Sequence, residues 1–135
     1  MKHLESQDIL SDFQHGFRAK KSTETQLILS IHDICLELNR GRLVDVAMLD
    51  FTKAFDKVPH RRLISKLNNY GLTGEISTWV QDFLTNRTQR VVLNGHASLP
   101  ACVTSGVPQG TLTGPLWFLL YINDLPNTVT SKTIR

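Results

Sequence analysis

The chain has 135 residues, of which 41% are hydrophobic and 20% are charged, and this composition excludes a disordered tail. Its length is that of one domain and is short for two. Fifteen Lys and Arg residues against twelve Asp and Glu give a formal charge of +3, which is compatible with a nucleic-acid partner but does not establish one.

The sequence contains no stretch of 18 apolar residues, and polar sequence follows its basic start. We therefore expect neither a membrane span nor a signal peptide. Cys35 and Cys102 lie in unrelated contexts, without the CxxC spacing of a metal or redox site. We expect both to be small buried hydrophobic residues of a reducing, intracellular compartment, with neither nucleus nor cytoplasm favoured.

The first predicted element is a helix that begins near Ser22 and Thr23 and ends near Gly41. Both hydroxyl residues are N-cap candidates, and Gln26 lies three residues after Thr23, as in a capping box. Gly41 stands where a glycine commonly ends a helix. Four apolar residues recur at helical spacing and would face a core: Leu27, Ile31, Ile34 and Leu38.

Residues 43–51 follow at once, rich in apolar residues and free of glycine and proline, which predicts a largely buried strand. On that strand Asp50 would share a face with Val46 and Met48. A strand directly after a helix favours an α/β arrangement.

Two more helices are predicted, one from Pro59 to about Gly71 and one from about Glu75 to Thr85. The first would bury Leu63, Ile64 and Leu67. The second would turn four residues to the core: Ile76, Trp79, Val80 and Phe83.

The dipeptide Asn94-Gly95 predicts a two-residue hairpin turn after the strand 90–93, with a return strand from Leu99 to Val103. A loop dense in glycine and proline follows at 105–110. The apolar run 115–125 then predicts a buried helix that ends at Pro126. We find no internal repeat, linker or domain boundary.

Asp50 is the first residue that points to chemistry. A carboxylate at the end of an apolar strand is poorly solvated and must be paired, protonated or bound to a cation. Asp50 therefore either caps the next helix or, with Lys53, Asp56 and Lys57 beside it, belongs to a phosphate and Mg²⁺ site. Asp56 is in turn either a second metal ligand or the structural partner of a base such as Lys53 or Arg61.

The loop around Gln109 is the second such feature. Three glycines and two prolines surround this single amide side chain between Ser105 and Pro115. Glycines allow close backbone approach to a ligand, and an amide offers both a donor and an acceptor to a nucleobase or sugar edge. The alternative is an ordinary tight loop before a helix.

A basic cluster, Arg18, Lys20 and Lys21, precedes the first predicted helix. It either binds phosphates at that helix start or is solvated surface. Phe17, Phe51 and Phe83 are expected in the core.

Four ordered blocks resemble the reverse transcriptases of non-LTR, LINE-type retrotransposons, and the resemblance covers about residues 3 to 135. They read QHGFR at 14–18 with STETQL at 22–27, LDFTKAFDKVPH at 49–60, TSGVPQGT at 104–111 with GPL at 114–116, and YINDLP at 121–126.

The resemblance implies an α/β (α+β) fold, a partial right-hand polymerase with helices packed on a small antiparallel sheet. One partial domain would cover residues 1–135, with the fingers part at about 1–42 and the palm part at about 43–135. The implied activity is that of an RNA-directed DNA polymerase, with an RNA template, a DNA primer, deoxynucleoside triphosphates and two Mg²⁺ ions.

The resemblance also implies roles for individual residues. Asp50 would be a catalytic, metal-binding aspartate, and the backbone carbonyl of Phe51 would complete the metal shell. Phe55 would be the steric gate that crowds a ribose 2′-hydroxyl. Three residues would contact the nucleotide or template: Arg18, which meets the triphosphate, and Gln109 and Gly110.

One block of the family is absent from these 135 residues, the aromatic-Ala-Asp-Asp turn that supplies the remaining metal-binding aspartates. One carboxylate cannot hold two Mg²⁺ ions about 4 Å apart against their mutual repulsion. We therefore expect a truncated fingers–palm fragment that is inactive alone.

Two alternatives remain. One is a non-catalytic nucleic-acid-binding remnant, whose phosphate contacts would come from Arg18, Lys20, Lys21, Arg61 and Arg62. The other is an unstable gene-fragment product with exposed apolar surface around Trp117, Phe118 and Leu119.

Overall fold

The structure is a computed structural model that describes residues 2–130, with side chains from residue 4 onward. Met1 and Ser131–Arg135, which the predicted domain includes, lie outside the described residues. The fold is of the mixed α/β class, as predicted. The helices are α1 (Lys2–Ser6), α2 (Thr23–Asn39), α3 (His60–Asn69), α4 (Glu75–Leu84), α5 (Gly114–Ile122) and a 3-10 turn (Leu125–Thr128). The strands are β1 (Thr88–Gln89), β2 (Val92–Leu93), β3 (His96–Ala97) and β4 (Ala101–Cys102).

The chain divides into two compact units. Unit 1 comprises residues 1–52 together with 123–135, and unit 2 comprises residues 53–122. Within the described residues, no helix is both long and apolar enough to cross a membrane.

Unit 1 is held by polar contacts between its first loop and the segment after α5. Asn123 donates from Nδ2 to the carbonyl oxygen of Ile9 at 2.7 Å and accepts at Oδ1 from the backbone N–H of Ser11 at 2.8 Å. Leu4 and Leu10 are buried in this unit. The side chain of Asn123 therefore satisfies the backbone of a loop that is distant in sequence.

Helix α2 begins where the sequence predicts. Ser22 is its N-cap, and a capping box forms with Thr25 rather than with the predicted Gln26 pairing. The predicted burial of its apolar face is wrong, because α2 has no buried residue and Leu27, Ile31 and Leu38 are each more than half exposed.

Residues 43–51 do not form the predicted strand. Leu43 is 99% exposed and Met48 is 92% exposed, so the expected burial is also wrong. A strand needs a neighbour to pair its backbone N–H and C=O groups, and none of the described residues pairs with this segment.

Helix α3 lies at the centre of unit 2 and packs against both α4 and α5. The predicted core residues Leu63 and Leu67 are fully buried, as is Val80 of α4. The prediction for Ile76 and Trp79 is wrong, since both are about half exposed. The buried stripe of α4 instead consists of Val80 and Leu84, which are four residues apart and share a face.

Helix α5 is buried through Trp117, Leu119 and Leu120, so the exposed apolar surface proposed around Trp117 and Leu119 is wrong. These side chains are covered because α5 packs on α3.

The hairpin is confirmed. Strand β2 pairs with β3 in the register Val92 with Ala97, and both turn residues, Asn94 and Gly95, have the positive φ of a type I′ turn. The ribbon continues through the pairing of β1 with β4, of which only β4 lies in the predicted return strand.

Both cysteines are exposed, contrary to prediction. Cys102 lies on β4, whose residues are all exposed, and Cys35 lies on α2, which has no buried residue.

Candidate nucleotide site and its supporting contacts

Parts of two predicted motifs are joined directly in unit 2: residues 53–58 of the 49–60 block and residues 105–109 of the loop at 105–110. The backbone N–H of Gly106 donates to the carbonyl oxygen of Val58 at 2.8 Å, and that of Val107 donates to the carbonyl oxygen of Phe55 at 2.8 Å. We call this pair of segments the clasp. Because its bonds run between backbones, the clasp fixes the relative position of the two motifs whatever side chains they carry.

Gly106 is required at the centre of the clasp. Its φ is +90°, and a Cβ at this position would lie 2.8 Å from both the Cα and the carbonyl oxygen of Asp56. Both contacts are with backbone, which cannot rotate away as a side chain can. Ser105 adds a hydrogen bond from its Oγ to the same carbonyl oxygen at 2.9 Å.

Gln109 projects from the clasp with its amide held at one end. Its Nε2 donates to Asp56 Oδ1 at 3.0 Å, and both side chains are exposed. A carboxylate only accepts hydrogen bonds, so it selects the amide orientation that leaves Oε1 free as an acceptor. The prediction that Asp56 pairs with a base such as Lys53 or Arg61 is wrong, because its side chain accepts its hydrogen bond from Gln109.

Phe55 is half buried, and its ring stacks on Phe118 of α5 with centroids 4.8 Å apart and planes at 29°. This stacking is typical of aromatic pairs and fixes the ring against the helix that follows the Gln109 loop. Phe17 and Phe51, which were expected in the core, are instead 65% and 49% exposed.

Arg18 and Lys21 of the basic cluster are engaged inside unit 1. Arg18 donates from Nη1 to the carbonyl oxygens of Ser11 at 2.9 Å and Leu10 at 3.3 Å. Lys21 donates from Nζ to the carbonyl oxygen of Asp12 at 2.5 Å. Burial and the nearby positive charge of Arg18 lower the pKa of Lys21. Both side chains therefore support the loop before α2, while Lys20 is exposed.

Asp50 and Phe51 lie in unit 1, whereas Phe55, Gln109 and Gly110 lie in unit 2. The Asp50 carboxylate is exposed, so the expectation of a poorly solvated group is wrong. That expectation rested on the predicted buried strand at 43–51, which does not form. Arg61 and Arg62 are exposed on the first turn of α3.

Residues 1–134 match the family described as reverse transcriptase (RNA-dependent DNA polymerase). The chain belongs to the reverse transcriptase family. It is 32% identical over 124 residues to a probable RNA-directed DNA polymerase from transposon BS of Drosophila melanogaster, covering 87% of this chain and 13% of that protein. It is 31% identical over 114 residues to the RNA-directed DNA polymerase from mobile element jockey of the same species, covering 84% of this chain and 12% of that protein.

A more distant relative is the Pol polyprotein from the type-1 retrotransposable element R2 of Popillia japonica, 25% identical over 103 residues, which are 76% of this chain and 17% of that protein. This reverse transcriptase chain thus spans about an eighth of the length of the Drosophila relatives. No solved structure matches it.

Reverse transcriptases depend in general on a divalent metal, and the residues described here do not fit a complete metal site. No group of three or more His, Cys, Asp or Glu side chains in residues 4–130 lies close enough to hold an ion. Asp50 is exposed, and Asp56 is bonded to Gln109. Among residues 4–130, the structure therefore brings together no complete site for the expected pair of ions.

Sequence reasoning missed two residues that support the clasp. His60 Nε2 donates to the carbonyl oxygen of Gly106 at 2.8 Å, and Arg87 Nη2 donates to the same oxygen at 3.1 Å. Arg87 comes from the hairpin, and no spacing in the sequence indicates its contact with Gly106. For His60, its place as the last residue of the 49–60 block was the only signal in the sequence.

Proposed function

We propose that this chain forms the nucleotide- and template-facing part of an RNA-directed DNA polymerase of the non-LTR retrotransposon type. The observation that carries the proposal is the clasp, because it brings Phe55 and Gln109, which are 54 positions apart in the sequence, onto one rigid frame. The relatives from transposon BS and jockey are named as RNA-directed DNA polymerases.

In this proposal Gln109 Oε1 and the backbone at Gly110 face the nucleotide and template. The Phe55 ring stands where a ribose 2′-hydroxyl would come, and so favours deoxynucleotides. Arg18 meets the triphosphate, although its Nη1 is already bonded within unit 1. Asp50 and the Phe51 carbonyl contribute to Mg²⁺ binding in a complete polymerase.

A nucleotide-binding experiment tests the site itself. Saturation-transfer NMR of the 135-residue chain should detect weak dATP binding, and ATP, which differs only by its 2′-hydroxyl, should give a weaker signal. Gln109→Ala should reduce the dATP signal. Gln89→Ala is the matched control, since Gln89 is an exposed glutamine on β1. Equal signals from both variants would refute the role of Gln109.

We further propose that these 135 residues do not polymerise DNA alone, because one candidate carboxylate cannot hold two Mg²⁺ ions. Primer extension on poly(rA) and oligo(dT) with Mg²⁺ should give no more dTTP incorporation than the Asp50→Ala variant gives. Template-dependent incorporation above that variant would overturn this proposal and leave the nucleotide-binding result unaffected.

A second candidate function, nucleic-acid binding without catalysis, is favoured by the distribution of charge. Unit 2 has seven Lys and Arg residues against three Asp and Glu, a formal charge of +4, whereas unit 1 has eight against nine. The whole basic excess of the chain therefore lies in unit 2. Such a surface binds phosphate backbones with an affinity that falls as salt rises.

A further inference from the structure

Arg87 lies outside the four blocks that resemble reverse transcriptases, between the end of α4 and β1. It is half buried, and its guanidinium donates to two backbone carbonyl oxygens: from Nε to Leu84 at 3.0 Å and from Nη2 to Gly106 at 3.1 Å. Its own carbonyl oxygen accepts from the backbone N–H of Val103 at 2.9 Å, at the base of the ribbon. Arg87 therefore joins the end of α4 and the ribbon to the clasp.

The shape of the guanidinium makes this joint rigid. Arginine presents its N–H donors in a planar fork of fixed geometry, so both bonds persist only while the two carbonyls keep their relative position. Leu84 is fully buried, which makes the end of α4 a firm anchor for one of the bonds. A lysine would keep the positive charge, but its single ammonium on a flexible stem could not hold both carbonyls in this way.

The peptide group between Gly106 and Val107 is held on both sides. Its carbonyl oxygen accepts from Arg87 and from His60 Nε2, the latter at 2.8 Å, which uses both of its lone pairs. Its N–H donates to the carbonyl oxygen of Phe55 at 2.8 Å. Gly106 and Val107 are buried, so each bond that is lost there leaves a polar group with fewer partners inside the protein.

We propose that Arg87 is a positioning residue for Phe55, and that it thereby sets the selection of deoxynucleotides over ribonucleotides. The selection rests on the proposed function, in which the Phe55 ring excludes a ribose 2′-hydroxyl. A side chain acts in this way only if it is held to within about 0.5 Å. Stacking on Phe118 holds the Phe55 ring, and the bond from Val107 holds the Phe55 backbone.

Loss of Arg87 would release the second of these restraints. The carbonyl of Gly106 would keep only His60, and a peptide plane that is held by one bond on that side can turn about it. The N–H of Val107 turns with the carbonyl, because the two share one rigid plane. Its bond to the Phe55 carbonyl then weakens, and the ring loses its fixed place. A residue next to the ribbon therefore controls a residue of the 49–60 block.

The positioning role is tested without any nucleotide, by NMR of the full 135-residue chain. In Arg87→Ala, hydrogen exchange at the Val107 amide should accelerate about fivefold relative to the amides of α3, which is the effect of one lost hydrogen bond. A general loss of stability would accelerate both alike. The ring resonances of Phe55 should shift in the same variant. Arg87→Lys should change both readouts in the same direction, and it decides the question if the alanine variant does not fold.

Arg90→Ala is the matched control. Arg90 is an exposed arginine three positions further along the ribbon, so this variant removes the same charge without touching the clasp. Exchange at Val107 and the ring resonances of Phe55 should stay as they are in the unaltered chain.

The selection is tested with dATP and ATP in saturation-transfer NMR. The unaltered chain should prefer dATP, and Arg87→Ala should lower the ratio of dATP to ATP affinity about threefold. Arg90→Ala should keep the ratio. Phe55→Ala should lower it at least as far as Arg87→Ala, because it removes the ring itself.

The possible failures are distinguishable. If the Arg87 and Arg90 variants show the same exchange at Val107 and the same Phe55 resonances, the positioning role of Arg87 is refuted whatever the nucleotides do. If the unaltered chain has no preference for dATP, the proposed role of Phe55 is refuted, and the selection by Arg87 is refuted with it. A preference that survives in Arg87→Ala would overturn the selection by Arg87 and leave the proposed function intact.

Discussion

The carboxylate of Asp56 accepts a hydrogen bond from the side-chain amide of Gln109 at 3.0 Å. The two residues belong to different motifs, and the contact decides which end of the amide faces outward. Asp56 is therefore a positioning residue, because its hydrogen bond orients the side-chain amide of Gln109.

Replacing Asp56 should free the Gln109 amide. Asp56→Ala removes the acceptor, and because the pair is exposed the free energy of unfolding should fall by about 1 kcal/mol or less. Asp56→Asn should keep most of the hydrogen bond to Gln109, because the side-chain carbonyl oxygen of asparagine also accepts. The side-chain amide resonances of Gln109 in a ¹⁵N NMR spectrum report the change directly. If Asp56→Ala and Asp56→Asn move the Gln109 amide resonances by the same amount from their positions in the unaltered chain, the side chain at position 56 does not orient the amide.

Gly106→Ala should destabilise unit 2 far more than an ordinary glycine substitution. The new Cβ would lie 2.8 Å from the backbone of Asp56, in addition to the cost of φ = +90°. We expect a loss of about 3 kcal/mol in unfolding free energy.

Gly110→Ala is the control for Gly106→Ala. Gly110 lies in the same loop with φ = +75° and has nothing within 4 Å of its Cβ position, so it isolates the conformational cost of about 1 kcal/mol. Denaturant titration measures both variants. Equal losses would mean that the clasp is looser in solution.

Local signals in the sequence were sufficient to predict most of the helices and the hairpin turn. Ser22 begins α2, Gly71 follows the end of α3, and Asn94-Gly95 forms the turn, because each depends on the conformational preference of one or two residues. The clasp could not be predicted in this way. Its bonds join residues about 50 positions apart, and the bond from Arg87 to Gly106 has no counterpart in any periodicity.

The prediction for residues 43–51 failed for a different reason. An apolar run indicates that a segment prefers to be buried, but not what buries it. The exposed Asp50 follows from the same error, because its predicted environment depended on that strand. The resemblance to reverse transcriptases is confirmed over residues 1–134, while the predicted surroundings of Asp50 depended on partners that the described residues do not provide.

The end of α2 should show an acid-sensitive contact. Glu37 lies between Arg42 and Arg40, with each Nη1 to carboxylate distance 2.7 Å, and the hydrogen bond from Arg42 is the main cause that lowers the pKa of Glu37 below 4.5. A carboxyl whose pKa is lower in the folded state stabilises the fold above its unfolded pKa. That contribution is lost as pH falls through the lowered value.

Glu37→Gln should therefore be less stable than the unaltered chain above about pH 4.5 and equally stable below the lowered pKa. Unfolding curves recorded between neutral and acidic pH measure the difference. Arg42→Gln should reproduce the same pH window. A difference that persists at the acidic end would show that the substitution acts through packing rather than through the ion pair.

The exposed apolar segment gives a test of unit 1 in solution. Leu43 is 99% exposed and Leu10 is 2% exposed, so substitution to alanine should lower the free energy of unfolding strongly at Leu10 and hardly at Leu43. Leu10→Ala should lower the free energy of unfolding by about 2 to 5 kcal/mol, because it removes buried methyl groups and leaves a cavity. Leu43→Ala should change it by less than about 0.5 kcal/mol. Denaturant titration at low protein concentration decides between these values. A loss above about 1 kcal/mol for Leu43→Ala would show that residues 43–51 are covered in solution. Repeating the titration over a range of protein concentrations would show whether a second copy of the chain covers them.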